Sequence, residues 1–177
     1  IELAPPEIYD ARYAKWRRED LPIVPSAWES VVSDGTKKQF AVLKDLLNRT
    51  DVDEVVCATD AGREGELIFR MVYEKTGCTK PVKRLWISSL EESAIREGFR
   101  SLKPGTAYDA LYRAALCRAQ ADWLVGINGT RLYSRLYGTK LNVGRGMTPT
   151  LAMIVEREKA IAGFTPKPFY TVHLLCP

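Results

Sequence analysis

Few residues in this chain suit nucleophile or zinc chemistry. There are four cysteines and one histidine in 177 residues. Cys57, Cys78, Cys117 and Cys176 lie far apart with no C-x-x-C pair, which argues against a zinc knuckle and a disulfide scaffold. A reducing, intracellular location is the default expectation. His173 has no serine or cysteine arrangement that would make it part of a triad. No apolar run approaches the ~20 residues of a helical membrane span, so no membrane partner is expected. Internal repeats and low-complexity tracts are missing. Ile1-Glu2-Leu3-Ala4-Pro5-Pro6 carries neither an initiator Met nor a signal-peptide pattern, and reads as the middle of a longer chain.

The charge is unevenly placed. Residues 1–103 hold 17 basic and 18 acidic side chains, net −1, while residues 104–177 hold 9 and 4, net +5. Arg113, Arg118, Arg131, Arg135 and Arg145 spread along 109–145 with few acids between them. An acid-bearing half joined to an arginine-rich half suits a metal-assisted enzyme acting on a polyanion, and equally an ordinary solvated basic face.

The most informative stretch is Val55-Val56-Cys57-Ala58-Thr59-Asp60-Ala61-Gly62-Arg63-Glu64-Gly65-Glu66-Leu67-Ile68-Phe69-Arg70. An apolar run without polar alternation predicts a parallel strand covered on both faces. Leu67, Ile68, Met71 and Val72 then fall at helical spacing. Asp60, Glu64 and Glu66 therefore crowd a strand-to-helix turn, the edge where open α/β sheets bind ligands. Oxygen donors of this kind suit Mg²⁺. Acids in a first helical turn also simply complement the macrodipole, and glycines make tight turns, so the pattern alone leaves both meanings open.

Around this centre, residues 1–27 are irregular and proline-rich, with Tyr9, Tyr13 and Trp16 expected to pin them to a neighbouring surface. Trp28–Val32 reads as a short strand. A helix opens at Thr36–Gln39 with Phe40, Val42, Leu43, Leu46 and Leu47 on one face. Gly77 is a plausible C-cap, Lys83–Ile87 the next strand, and the unit is βαβ. Ser89-Leu90-Glu91-Glu92 predicts a capping box for a helix through Phe99. Lys103-Pro104-Gly105 predicts a domain boundary. One or two helices follow over 107–137, with Gly126 and Gly129 allowing close packing or a break. A glycine-rich loop, Asn142–Pro149, leads to a helix to about Ile161 with Leu151, Met153, Ile154 and Val155 inward. Phe169–Leu175 has strand character.

Two separated motifs point to one family. Ala58-Thr59-Asp60-Ala61-Gly62-Arg63-Glu64-Gly65-Glu66-Leu67-Ile68 resembles the acidic motif of the TOPRIM domain of type IA DNA topoisomerases. Asn142-Val143-Gly144-Arg145-Gly146-Met147-Thr148-Pro149-Thr150-Leu151, followed by Ile154-Val155-Glu156-Arg157-Glu158, resembles that family's S-x-G-R-V-Q-T-P-T-L…V-E-R-E segment. Leu85–Ser89 and Asp122–Asn128 fit the family between them, and the likeness is to the bacterial topoisomerase III branch along nearly all of the chain.

The resemblance implies an α/β, TOPRIM-like parallel sheet with flanking helices, its first strand absent, then a mainly helical segment and the start of a β strand. The implied divisions are a partial TOPRIM domain at 1–103, the first part of a helical DNA-binding domain at 104–165, and the start of a β arch domain at 166–177. It implies Mg²⁺ held by Asp60 and Glu64. Arg118 is expected at the scissile phosphate with Asp122 orienting it, and Arg63, Arg118, Arg145 and Thr148 are expected to contact DNA, mainly single-stranded segments. The implied reaction is ATP-independent, Mg²⁺-dependent strand cleavage through a 5′-phosphotyrosine, strand passage and resealing. The implied setting is the nucleoid in a bacterial cytoplasm, with a helicase partner.

Two positions depart from the family pattern. Gly62 stands where many members have a second aspartate, and Gly146-Met147 replaces Val-Gln. None of the eight tyrosines has the R-T-D-S context of the nucleophile, so the chain is expected to be inactive alone. The competing expectations are a non-catalytic single-strand-binding module and another TOPRIM enzyme, a primase or nuclease. The G-R-x-x-T-P-T-L stretch speaks against the last.

Overall fold

A computed structural model describes residues 1–175; Cys176 and Pro177, the last two residues of the expected arch segment, lie outside the described residues. Strand β1 (Glu2–Leu3) pairs antiparallel with β2 (Ser30–Val31). A second sheet has the order β3 (Val55–Cys57), β4 (Val82–Arg84), β5 (Lys103–Pro104). The β3–β4 pair is parallel, in the register Val55↔Val82 to Cys57↔Arg84. As the unbroken apolar run predicts, Val55 and Cys57 are buried.

Helix α1 (Pro6–Tyr9) is a single turn, and α2 (Lys37–Asn48) packs on α3 (Arg63–Thr76), the crossover between β3 and β4. Gly77 ends α3 in the left-handed region at φ 71°, its N–H donating to Glu74 O, so it is the expected C-cap. On α2, Phe40, Leu43 and Leu47 are half-buried at i, i+3, i+7, whereas Val42 and Leu46 face solvent. The covered stripe, narrower than the run of apolar residues suggests, is the one that faces α3.

The regular part of the second strand is shorter than Lys83–Ile87, and it ends at Arg84. Helix α4 (Glu92–Arg100) begins without the expected capping box. Ser89 Oγ instead accepts from Glu91 N at 3.2 Å, a local turn that leaves Glu91 as an N-cap with no side-chain bond. Lys103–Pro104, expected at a domain boundary, forms β5 antiparallel to β4. Proline is tolerated there because β5 is an edge strand with no further ladder to donate to.

Residues 109–137 form one unbroken helix, α5 (Asp109–Tyr137), about 43 Å long at 1.5 Å per residue. The amino-terminal segment wraps it. Trp123 meets Tyr9 and Trp28 edge-on at centroid distances of 6.0 and 5.4 Å, and its Nε1–H donates to Ala4 O at 3.0 Å. The Arg131 guanidinium lies 5.4 Å from the Trp16 ring centre and donates to Tyr13 O at 2.7 Å. Burial holds Arg131 below the usual arginine range. The aromatic pinning expected of this segment is thus real, and Ala4 and Ile23 are core residues.

Asn128 ties the segment down at its far end. It accepts from Ile23 N at 2.6 Å and donates to Ile23 O at 2.9 Å. Asn128→Ala leaves a buried N–H and C=O unpaired, so urea unfolding should show a loss of about 1–3 kcal/mol. Loss of under half a kcal/mol would mean water replaces the amide freely.

Helix α6 (Met147–Ala162) follows the loop but has no buried residue. Leu151, Met153, Ile154 and Val155 are exposed, contrary to the inward placement expected, because none of the described residues packs over them. Residues 164–175 have no regular structure, and His173 is exposed among them. A strand at Phe169–Leu175 would need a neighbouring strand to bond with, and no described strand lies beside it.

Candidate metal centre and nucleic-acid interface

Chain direction reverses between β3 and α3 over Ala58–Gly62. Gly62 N–H donates to Asp60 O at 2.8 Å, and Thr59 Oγ1 donates to Gly65 O at 2.8 Å. Gly65 is where the turn and helix touch: a Cβ there would sit 2.2 Å from Asp60 O and 2.9 Å from Asp60 N. Gly62 is different. Its φ of −175° is extended backbone and nothing lies within 4 Å of an added Cβ. A side chain at 62 has room.

The three acids separate by helical phase. Glu64 and Asp60 are exposed, while Glu66, two residues on and so about 200° round the helix, is 1% exposed. Glu66 accepts from Arg84 Nε at 2.9 Å and from Arg70 Nε at 3.0 Å. It is therefore removed from the set of acids suited to a cation. Arg70 also donates to Gly105 O at 2.7 Å and Asp109 Oδ1 at 2.9 Å, which joins α3 to the start of α5. Burial works against the Arg70 charge, but Glu66 and Asp109 outweigh it and hold the guanidinium above its ordinary range. Nearby, burial and the Glu74 carboxylate push the Tyr112 phenol well up, so it remains a neutral donor to Glu74 at 2.8 Å.

Helix α5 packs along α3 and presents Arg118 and Asp122 one turn apart. Arg118 NH1 lies 3.9 Å from Glu64 Oε1, and its Nε is buried with no hydrogen-bond partner among the described residues. Asp122 does not bond Arg118. Its Oδ1 accepts from Arg145 Nε at 2.9 Å. Small residues explain this: an added Cβ at Gly129 would come within 3.0 Å of the Val143 side chain, and one at Gly126 within 3.6 Å of Val143 O. The loop thus lies close on α5, and Arg145 reaches back to Asp122. Gly126 and Gly129 serve packing, not a helix break.

Thr148 Oγ1 accepts from Gly144 N at 3.1 Å, so this hydroxyl shapes the loop. Arg63 is exposed at the first residue of α3. A cleft of ≈ 410 Å³ opens between Val125, Asp122, Val143, Arg145 and Thr148. A second, of ≈ 540 Å³, shares Asp122, Gly126 and Val143 with it and extends to Trp123, Trp16 and Arg131. The geometry brings Glu64 to Arg118, with Asp60 exposed on the turn that leads into the same helix, and gathers Asp122, Arg145 and Thr148 around one cleft.

Among the described residues no cluster of three or more His, Cys, Asp or Glu could hold a metal ion. Two carboxylates still fit Mg²⁺, which commonly takes one or two protein carboxylates and fills its remaining positions with water and substrate phosphate. Zinc, with four protein donors, would not fit.

Arg84 carries no sequence signal beyond a charge at a strand end. It is 1% exposed and is the largest fully buried side chain among the described residues.

A parallel strand, an exposed acidic turn and a helix, faced by an arginine-bearing helix, make an α/β unit with a long helix laid against it. A Toprim domain family model matches residues 9–90, and a DNA topoisomerase family model matches residues 106–176. The chain is 53% identical over 169 residues to DNA topoisomerase 3 of Shouchella clausii (strain KSM-K16), covering 96% of this chain and 23% of that protein. It is 51% identical over 172 residues to DNA topoisomerase 3 of Bacillus subtilis (strain 168), covering 97% and 24%. It is 48% identical over 172 residues to DNA topoisomerase 3 of Bacillus anthracis, also covering 97% and 24%. The chain belongs to the type IA DNA topoisomerases, in the bacterial topoisomerase III branch, and spans about a quarter of the length of the curated relatives it matches.

Proposed function

We propose that this chain supplies the metal carboxylates and part of the DNA-phosphate surface of an enzyme that changes DNA topology by transient single-strand cleavage and resealing, without ATP. The exposed Glu64 carboxylate, 3.9 Å from Arg118 on the strand-to-helix turn that also carries the exposed Asp60, is the observation that carries it. Mg²⁺ held there would supply charge neutralisation between a phosphate and a sugar hydroxyl. Asp60 and Glu64 would hold the cation, and Glu64 lies 3.9 Å from Arg118. The Arg118 fork then offers paired donors to the scissile phosphate, contact that lysine would not match. Arg145 leaves Asp122 for a strand phosphate, with Arg63 and Thr148 beside the path, and such contacts position DNA without reading its sequence.

In this proposal the nucleophilic tyrosine lies outside these 177 residues, and the chain alone forms no covalent adduct. The substrate is mainly single-stranded DNA, and the setting is the nucleoid of a bacterial cytoplasm, with a helicase among the whole enzyme's partners. No described helix is long and apolar enough to cross a membrane.

The test is titration of the chain with Mg²⁺ and with a single-stranded oligonucleotide. Asp60→Asn and Glu64→Gln should each weaken Mg²⁺ binding more than tenfold while leaving the fold intact. Arg145→Ala should weaken oligonucleotide binding and reduce its log–log salt slope by about 1. DNA binding indifferent to both Mg²⁺ and the two acid variants would favour the non-catalytic single-strand module instead.

A further inference from the structure

Arg84 places its donors on the acidic turn. Nε donates to Glu66 Oε2 at 2.9 Å. NH1 donates to Cys57 O at 3.1 Å, Thr59 O at 2.7 Å and Leu85 O at 2.7 Å, and NH2 to Asp60 O at 2.6 Å. The Trp86 ring centre lies 4.9 Å from this guanidinium, and Tyr108 stacks on Trp86 at 4.8 Å, so aromatic rings shield it from water. A guanidinium buried this deeply needs acceptors for its five N–H groups, and where those acceptors lie is what distinguishes this one. Four of the five bonds go to carbonyls, two of them at Thr59 and Asp60, beyond the end of β3 where no strand partner is available.

We propose that Arg84 is a positioning residue for Asp60, a role that rests on the metal reading above. The Asp60 peptide is fixed from three sides: Arg84 NH2 and Gly62 N–H both bond its carbonyl, and Gly65 packs against its backbone. With the peptide immobile, the Asp60 side chain starts from one place. Through Glu66 and Arg70 the same network reaches Gly105 and Asp109, so the acidic turn and the helix bearing Arg118 share one frame. Lysine keeps the charge but has a single nitrogen, and cannot reach Glu66 and carbonyls on both sides of the turn together.

The experiment compares four chains: wild type, Arg84→Lys, the double variant Arg84→Met/Glu66→Leu, and Ile23→Ala as a core control far from the turn in sequence. The double variant removes the Arg84 and Glu66 charges together while Arg70 keeps Gly105 O and Asp109, so it preserves the fold if Arg84→Lys does not. Amide hydrogen exchange across 58–66 and Mg²⁺ affinity by calorimetry are measured under native conditions. Both Arg84 variants should exchange at least tenfold faster across 58–66 and bind Mg²⁺ at least tenfold more weakly. Ile23→Ala should lower the melting temperature without either local effect. Wild-type exchange across 58–66 in the double variant would overturn the proposal, and so would the same local change in Ile23→Ala. Mg²⁺ affinity unaffected by Asp60→Asn would overturn the metal reading instead, and the exchange pattern would still decide the role of Arg84.

Discussion

Glu66→Ala should lower the unfolding free energy by about 3–5 kcal/mol, the cost of leaving a buried cation without its counter-charge. Two guanidiniums lose a partner at once. Arg84 is 1% exposed and keeps only neutral carbonyls, while Arg70 keeps Gly105 O and Asp109. A domain of this size has only about 5–15 kcal/mol to lose, so the variant should unfold in mild urea. The comparison is Arg96→Ala, which removes the Glu92 pair at 2.7 Å between two largely exposed side chains. That pair is screened by water and its loss should register at no more than about 0.5 kcal/mol. Equal effects from the two substitutions would mean that Glu66 is solvated in solution. Glu66→Gln should fall between them, since its amide oxygen still accepts from one guanidinium but brings no charge.

What the chain's pattern reveals and what it hides follow from how far apart the interacting residues lie. The strand at Val55–Cys57, the crossover helix and its Gly77 cap are local features, set by an apolar run, a 3.6-residue period and one left-handed residue. They are legible in the sequence. Glu66 is legible in part: the i, i+4 spacing to Arg70 and its place beside Leu67 mark the inner face, yet three neighbouring acids read more readily as one cluster. Arg84 is not legible, because its partners are strand-end carbonyls and a carboxylate 18 residues away. The Asp122–Arg145 bond is hidden for the same reason, since helical spacing favours Arg118 at i−4 and only the folded loop brings Arg145 near. The two-residue β5 is too short for any period to show, and its proline points away from a strand. Apolar spacing in 151–155 correctly gives a helix, but a stripe of that kind implies a partner only where one packs against it.

Gly65→Ala should be as damaging to the acidic turn as it is mild in composition. Alanine is the better helix former by up to about 1 kcal/mol, which on its own would stabilise α3. Overpacking opposes it: the methyl would lie 2.2 Å from Asp60 O, 2.9 Å from Asp60 N and 3.0 Å from Asp60 C, all backbone atoms. No side chain can swing aside to relieve that contact. Either α3 withdraws from β3, or the Asp60 peptide moves and breaks its 2.6 Å bond from Arg84. Misfits of this kind typically cost about 1–3 kcal/mol and sometimes more, so a net loss of at least about 1 kcal/mol is expected by urea unfolding. The functional loss should be larger than the stability loss, because the displaced peptide carries the Asp60 carboxylate. Mg²⁺ affinity should fall at least tenfold even where the variant is fully folded. Gly62→Ala is the decisive comparison. Its Cβ meets nothing within 4 Å and its backbone is extended, so stability and Mg²⁺ affinity should stay near wild type. If the two glycines responded alike, the turn would be sensitive to loss of flexibility in general. A response confined to Gly65 would tie the proposed metal carboxylate, Asp60, to the close approach of one helix to one peptide.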